Sequence, residues 1–183
     1  MAKISLVVGH SAKSPGALAE APISDTEYGF NTEVAQILAS TLIAEHEVRI
    51  FFRDGVTIPE AYAQVEEWEP DLNMELHLNS HDDKTVVGTE TLCVDRSKSF
   101  AGIIQESMCV ALKRDLTGGN RGLKILTSPE QRGYASCSAL EIPSILLEPI
   151  FCSNSAECEL LLANMKRFVV AISEGVNHYL SAN

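Results

Sequence analysis

The sequence lacks the features that would assign it to a membrane, nucleic-acid-binding or disulfide-stabilised class of protein. Its apolar runs all fall short of the roughly 18 residues that a transmembrane helix requires, so we expect no membrane span and no stable membrane association. Lysine and arginine number 14 against 25 aspartate and glutamate residues, a formal net charge of −11 at pH 7. Because nucleic-acid binding depends on basic side chains that contact phosphates, this balance argues against a nucleic-acid partner.

The cysteines are too few and too scattered to form a recognisable framework. The five of them are an odd number, and no two are spaced as a CxxC pair, so the pattern favours neither a disulfide scaffold nor a thiolate zinc site. Most lie in apolar stretches, where a free cysteine behaves as a small hydrophobic residue. Cys152 and Cys158 lie near a strand end, but no histidine is spaced to activate them, so a cysteine hydrolase is the least favoured enzyme class.

What the sequence does contain is an alternation of apolar strands and amphipathic helices, undivided by any repeat or linker. This order predicts a single α/β domain with a twisted, largely parallel mixed sheet and helices on both faces. The predicted strands are residues 3–8, 47–52, 72–79, 86–94, 122–126 and 143–151. The predicted helices are residues 30–45, 57–68 and 99–116, with one or two further helices within residues 155–180. Residues 127–142 are rich in turn formers and predict a loop or a short helix over the sheet edge.

The segment LNMELHLNSHDD at residues 72–83 alternates apolar and polar residues in its first half. A strand with this period buries one face and presents Glu75, His77 and Asn79 on the other. A carboxylate that shares a strand face with a histidine can orient the imidazole ring, as carboxylates do around bound metals. Glu75 is therefore a candidate to orient His77.

Polar side chains fall where several predicted strands end. His10 follows the first strand, His77 and Glu148 lie near the ends of two others, and Glu27 precedes the first helix. Because ligands in open α/β sheets bind outside the carboxyl ends of the strands, these groups could converge on one crevice. Two histidines and a carboxylate commonly hold a catalytic zinc ion with water in the open position, and a second carboxylate can then act as general base and acid.

Each of these residues also has an ordinary structural interpretation. His10 could simply end a strand, and His77 could be a surface histidine on a polar strand face. Ser24 and Glu27, in SDTE, are spaced as a capping box, and on spacing alone capping is the preferred role for Glu27. Glu148 is harder to explain in this way, because the apolar strand around it offers no structural reason to bury a carboxylate.

Eight short segments follow one another with compatible spacing: LVVGH, EYGFN, FFRD, ELHLNS, GTET, NRGLK, LLEPIFCSN and ISEGVNHYL. Together they resemble the zinc-dependent N-acetylmuramoyl-L-alanine amidases, the type-3 amidase family of bacteria and phages. The resemblance spans nearly the whole chain. A single match of this length is weak, whereas eight in the family's order are fairly specific.

The resemblance implies a fold like that of zinc amidases and carboxypeptidases, with His10, Glu27 and His77 as ligands of one Zn²⁺ per chain. It thereby assigns Glu27 to the metal despite the capping-box spacing. It also implies hydrolysis of the amide between N-acetylmuramic acid and L-alanine, with the stem peptide and glycan strand of peptidoglycan as the partner. Glu148 would be the catalytic carboxylate, taking a proton from water and returning one to the departing amine.

Two positions depart from the family pattern. Ser11 stands where the family has glycine after the ligand histidine, and Ile150 stands in the glycine position of Glu-x-Gly-Phe, so we expect a groove of different fine shape. Residues 1–183 show no separate wall-binding domain, and the first apolar run lacks the length and cleavage site of an export signal. We therefore expect a catalytic amidase domain of the phage or prophage endolysin kind, made in the cytoplasm and reaching the cell wall on lysis.

Two other functions stay open on the sequence alone. A zinc carboxypeptidase-like peptidase uses a related His/Glu/His set on an α/β sheet, and a non-catalytic peptidoglycan-binding domain could keep the fold without the chemistry. Product analysis separates the three: new L-alanine amino termini indicate the amidase, and released carboxyl-terminal residues indicate the peptidase. Binding without release of soluble fragments indicates the binding domain.

Overall fold

The computed structural model describes residues 1–114 and 118–182, which form one α/β domain around a six-stranded sheet. The strands are β1 (Lys3–Val8), β2 (Glu47–Phe52), β3 (Leu72–Leu76), β4 (Thr89–Cys93), β5 (Asn120–Ile125) and β6 (Ser144–Glu148). The helices are α1 (Glu27–Leu42), α2 (Ile58–Glu67), α3 (Lys98–Ala111), α4 (Tyr134–Ser138) and α5 (Ser155–Ala182). Every predicted strand and helix has its counterpart here, although the end predicted for α3 at residue 116 lies outside the described residues.

The sheet order β2-β1-β3-β6-β4-β5 places three strand ends side by side. β1, β3 and β6 are neighbours and run parallel, with Val8 opposite Leu76 and Leu76 opposite Leu147. β4 is antiparallel to β6 and parallel to β5, which makes the sheet mixed, as predicted. The carboxyl ends of β1, β3 and β6 therefore meet at one edge, where ligands bind in folds of this class.

Both faces of the sheet are covered by helices because its strands carry apolar residues on both sides. On one face, Leu6 and Val8 of β1 belong to the main core, which α1, α3 and α5 close. On the other face, Val7 packs in a smaller cluster with Tyr62 and Val65 of α2. Strands buried on both faces are typical of parallel sheets, and the prediction of helices on both faces is confirmed.

The start of α1 differs from the prediction. Thr26, and not Ser24, caps the helix: the Thr26 hydroxyl accepts a hydrogen bond from the Gly29 N–H at 3.1 Å. Ser24 lies outside the helix with a φ of 53°. The predicted capping box of Ser24 and Glu27 is therefore wrong, and the Glu27 carboxylate has another role. In α2, by contrast, the N-cap is Thr57, and its hydroxyl accepts a hydrogen bond from the Glu60 N–H.

Burial within the core accounts for the five cysteines. All five cysteines lie within the described part of the chain, and all are buried.

Residues 134–138 form the short helix α4, which is one of the two forms predicted for residues 127–142. None of the helices in residues 1–114 and 118–182 combines the length and apolarity that a membrane crossing needs.

Candidate metal centre

Three of the predicted site residues gather at the edge where β1 and β3 end. His10 lies two residues after β1, His77 directly follows β3, and Glu27 is the first residue of α1. One possible ligand atom from each of the three lies within 4.8 Å of the others, so the group could hold a metal ion. The carboxylate of Glu27 joins the rings: its Oε2 lies 3.1 Å from His10 Nε2, and its Oε1 lies 2.8 Å from His77 Nδ1.

Glu27 is fixed by the backbone as well as by the histidines. Its Oε1 accepts a hydrogen bond from the Leu78 N–H at 2.9 Å, and its Oε2 accepts one from the Ala17 N–H at 3.2 Å. Burial alone would raise the pKa of this carboxyl, but the hydrogen bonds from His10 and His77 outweigh burial and hold the pKa well below its usual range. The group is therefore a carboxylate anion of fixed position.

His77 is held from its other side by Glu75. Glu75 Oε1 lies 3.1 Å from His77 Nε2, which places a carboxylate at each ring nitrogen. Glu75 is completely buried and also accepts hydrogen bonds from Arg53 Nη1 and the Tyr62 hydroxyl, both at 2.7 Å. Burial would lower the pKa of His77, but the hydrogen bonds to Glu27 and Glu75 outweigh it and raise the pKa to about 10. The predicted placement of Glu75 beside the ring is confirmed.

Gly9 makes room for the His77 ring. A Cβ at position 9 would lie 2.4 Å from His77 Nε2, far inside van der Waals contact. The Gly9 N–H also donates to the Leu76 carbonyl at 3.0 Å, so the backbone of the first strand passes directly beside the ring. The glycine of the LVVGH segment is thus a steric requirement of the site, since a side chain there would displace His77.

Glu148, the last residue of β6, lines the same cleft as His10 and His77. The cleft has a volume of about 200 Å³. Only 1% of Glu148 is exposed, and burial raises the pKa of its carboxyl to about 7 although the nearby His77 and Arg132 charges lower it. Its Oε1 accepts a hydrogen bond from Arg132 Nη2 at 3.0 Å, whereas its Oε2 has no hydrogen-bond partner among the described residues.

The donor set and the unpartnered oxygen fit a zinc site. Two imidazoles and one carboxylate supply the nitrogen and oxygen ligands that zinc takes in catalytic sites, with a fourth position left for water. Glu148 Oε2 is a buried acceptor beside that group, and a buried acceptor without a donor costs free energy. A water held beside the histidines would supply the missing donor.

Three residues of the site were not found from the sequence. Arg53 and Tyr62 reach Glu75 from the end of β2 and from α2, and Arg132 reaches Glu148 from the loop before α4. Arg53 stands in the family-like FFRD segment, which was the one available signal. Tyr62 and Arg132 had none, because their partners are 13 and 16 residues away along the chain.

The fold and the comparisons together define the class of protein. The six-stranded mixed sheet with flanking helices matches the catalytic domains of amidases in solved structures. A family model described as N-acetylmuramoyl-L-alanine amidase matches residues 4–178. The chain therefore belongs to the N-acetylmuramoyl-L-alanine amidase family.

Three solved structures illustrate the shared fold. The catalytic domain of CwlV, an N-acetylmuramoyl-L-alanine amidase from Bacillus (Paenibacillus) polymyxa var. colistinus, is 23% identical, with a TM-score of 0.84 and full coverage of both chains. An N-acetylmuramoyl-L-alanine amidase from Clostridium difficile 630 is 19% identical, with a TM-score of 0.83 over 100% of this chain and 98% of that one. The catalytic domain of the CD27L endolysin, which targets Clostridia difficile, is 24% identical, with a TM-score of 0.78 over 97% of this chain and 98% of that one. No curated protein sequence matches the chain.

Proposed function

We propose that this protein is a zinc-dependent hydrolase that cleaves the amide between N-acetylmuramic acid and L-alanine in peptidoglycan. The observation that carries the proposal is the cluster of His10, Glu27 and His77 beside Glu148, in a chain of the amidase family. The three clustered residues would hold one zinc ion per chain. When bound, zinc would polarise the scissile carbonyl and lower the pKa of a bound water to about 7.

Glu148 is suited to move the protons. A general base works best when its pKa lies near the operating pH, and burial raises the pKa of Glu148 to about 7. Its free Oε2 would accept a proton from the attacking water, while Arg132 holds Oε1 in place. The protonated Glu148 would then donate to the nitrogen of L-alanine as the amide bond breaks.

Glu75 would complete the arrangement by fixing the His77 ring. While one ring nitrogen faces Glu27 and the metal position, the other would donate to Glu75, which sets both the tautomer and the ring plane. Arg53 and Tyr62 donate to Glu75, so two further side chains hold this buried carboxylate in place.

Metal content and turnover test the two roles separately. Purified protein is expected to hold about one zinc ion per chain by metal analysis. His77→Ala should lose both zinc and activity, whereas Glu148→Gln should keep zinc and lose turnover on purified peptidoglycan. His178→Ala and Glu67→Gln, at exposed positions on α5 and α2, are the matched controls and should keep both. A Glu148→Gln enzyme of full activity would contradict the proposed mechanism.

Product analysis tests the bond that is cut. Digestion of peptidoglycan should expose one new amino terminus, that of L-alanine, for each bond hydrolysed. Release of carboxyl-terminal residues would instead identify a peptidase. Retention of the protein on sacculi with no soluble product would identify a binding domain.

We also propose that the activity is lytic, as in an endolysin. The likeness in fold to the catalytic domain of the CD27L endolysin supports this, and the enzyme would act at the cell wall. The turbidity of purified sacculi, and of cells whose membrane is opened by an induced pore-former, should fall with the active protein and stay constant with Glu148→Gln. Cleavage of sacculi without lysis of the opened cells would contradict the lytic role.

A further inference from the structure

One cation in the cleft has no part in the proposed chemistry beyond its contact with Glu148. The Arg132 side chain is 65% exposed, yet its Nη2 lies 3.0 Å from Glu148 Oε1 and 3.4 Å from Asn79 Oδ1. One edge of the guanidinium therefore touches the proposed base, while most of the side chain, which lines the cleft, is exposed. Arginine has five N–H donors in a fixed plane, which is the geometry that binds a carboxylate through two parallel hydrogen bonds.

The loop that carries Arg132, residues 127–133, has a defined shape. Gln131 Oε1 accepts hydrogen bonds from the backbone N–H groups of Thr127 and Ser128, at 2.6 and 3.0 Å. Gly133 follows in the left-handed region with a φ of 86°, and a Cβ there would lie 2.9 Å from Leu92 Cδ2. The turn therefore requires glycine after Arg132. The defined backbone of this loop fixes the position of the Arg132 Cα, from which the side chain extends.

Arg53, the second arginine that lines the cleft, already forms an ion pair within the protein. Arg53 pairs with Glu75, a fully buried carboxylate, and so its charge is neutralised within the protein. Arg132 differs, because its side chain is 65% exposed and only its Nη2 contacts Glu148 and Asn79. The guanidinium can therefore bind a carboxylate of the substrate while it keeps its contact with Glu148.

Ordinary hydrogen-bond lengths limit how far from the scissile amide such a substrate carboxylate can lie. Arg132 contacts Glu148, and Glu148 must in turn lie within hydrogen-bond reach of the attacking water, so two contacts of about 3 Å in series separate the guanidinium from the water. Two residues of extended chain span at most about 7 Å. An anion that Arg132 binds therefore lies within about two residues of the scissile amide.

We propose that Arg132 determines substrate specificity by binding the free α-carboxylate of the second stem-peptide residue. The inference rests on the proposed amidase function and adds to it a preference within peptidoglycan. Stem peptides whose second residue carries a carboxylate would be good substrates, and those in which this group is an amide would be poor ones. The preference should appear mainly in KM, because the contact lies away from the bond that breaks.

The test is a matched pair of substrates. N-acetylmuramoyl-L-alanyl-D-glutamate whose γ-carboxyl is joined to a third residue is compared with the same compound amidated at the α-carboxyl, by kcat/KM. The wild-type enzyme should prefer the acid by about ten-fold or more, since hydrogen bonds to a charged group are the strong ones. Arg132→Gln should lower the ratio to about one, Arg132→Lys should give an intermediate ratio, and Lys166→Gln, an exposed site on α5, should leave it unchanged.

The ratio separates recognition from other effects of Arg132. Loss of the contact with Glu148 changes turnover of both substrates alike, so it cancels in the ratio. Equal turnover of acid and amide by the wild type, or a ratio that persists in Arg132→Gln, would overturn the inference and leave the amidase function intact. Cleavage of neither substrate would count against the proposed function.

A binding measurement makes the inference testable without turnover. The peptide L-alanyl-D-glutamate, with its γ-carboxyl joined to a third residue, and the α-amide of the same peptide are titrated into wild-type protein and into Arg132→Gln. Tighter binding of the acid to the wild type alone supports recognition by Arg132. Equal affinities in the wild type would overturn it.

Discussion

Glu75 and His77, two residues apart at the end of β3, are joined by a contact of 3.1 Å between Oε1 and Nε2. The opposite ring nitrogen faces Glu27 at 2.8 Å, so a carboxylate lies at each side of the imidazole. Glu75 is held in turn by Arg53 and Tyr62. The orientation of one proposed ligand thus depends on a buried network reaching into β2 and α2.

This network predicts that Glu75→Gln weakens metal binding. The amide cannot neutralise Arg53 or hold the imidazole as strongly, and the loss of such a partner typically lowers metal affinity by about 10–100-fold. Competition with a chromogenic chelator measures the zinc affinity, and circular dichroism checks the fold. Glu67→Gln is the matched control. Unchanged zinc affinity in a folded Glu75→Gln protein would show that Glu75 does not position His77.

Gly9→Ala should damage the site by steric conflict. The new methyl group would lie 2.4 Å from His77 Nε2, and the ring or the strand must move to accept it. We expect a loss of about 1–3 kcal/mol in the free energy of unfolding, together with lower zinc content. Denaturant titration and metal analysis are the measurements.

Gly102→Ala provides the contrast for Gly9→Ala. Gly102 lies within α3, and a Cβ there meets nothing within 4 Å. Alanine is favoured over glycine in a helix interior, so this variant should be more stable by roughly 0.5–1 kcal/mol, with normal zinc content. Equal effects of the two substitutions would remove the steric argument for Gly9.

The pH dependence of turnover should report Glu148. The base must be ionised, so kcat/KM should fall as the pH drops through the pKa of this carboxyl, which is about 7 without metal. A bound divalent cation favours the ionised form of Glu148, so this fall of kcat/KM on the acid side of the profile, its acid limb, should be centred at or below pH 7. Arg132 also favours the ionised form, so Arg132→Gln should move the limb to higher pH. A shift to lower pH would contradict this electrostatic relationship.

Glu148 should also cost stability at neutral and alkaline pH. Burial raises its pKa from 4.5 to about 7, so the folded state resists the ionisation that the unfolded state allows. The cost is absent below about pH 4.5, grows between pH 4.5 and 7, and is complete above pH 7. In chelator-treated protein, Glu148→Gln should therefore be about 1–3 kcal/mol more stable at pH 8 and little changed at pH 4.5. A variant less stable at pH 8 would contradict it.

The sequence predicted the elements of this fold better than their arrangement. Apolar runs such as residues 3–8 and 143–151 are buried on both faces, which makes them recognisable without a structure. The antiparallel pairing of β4 with β6 could not be read, because no local pattern records which strands become neighbours. Strand ends were also misjudged: β3 stops at Leu76, although the alternation continues to Asn79.

For the candidate site, sequence order sufficed where strand ends position a residue. His10, His77 and Glu148 follow or end three strands that are neighbours in the sheet, so the carboxyl-edge rule brought them together. The role of Glu27 was ambiguous from spacing, and the cap proved to be Thr26. The contact of Arg132 with Glu148 could not be predicted from the sequence, because it depends on the folding of a loop with no periodic pattern.

The burial of every cysteine has a practical consequence. Burial raises the pKa of Cys152 to about 12 and holds the pKa of Cys137 well above its usual range, so neither thiol ionises appreciably at neutral pH, and the pKa values of the other three thiols are raised as well. Thiolate is the form that oxidants and alkylating reagents attack. The native protein should therefore tolerate air and work without added reductant, and a maleimide dye would label it only after unfolding.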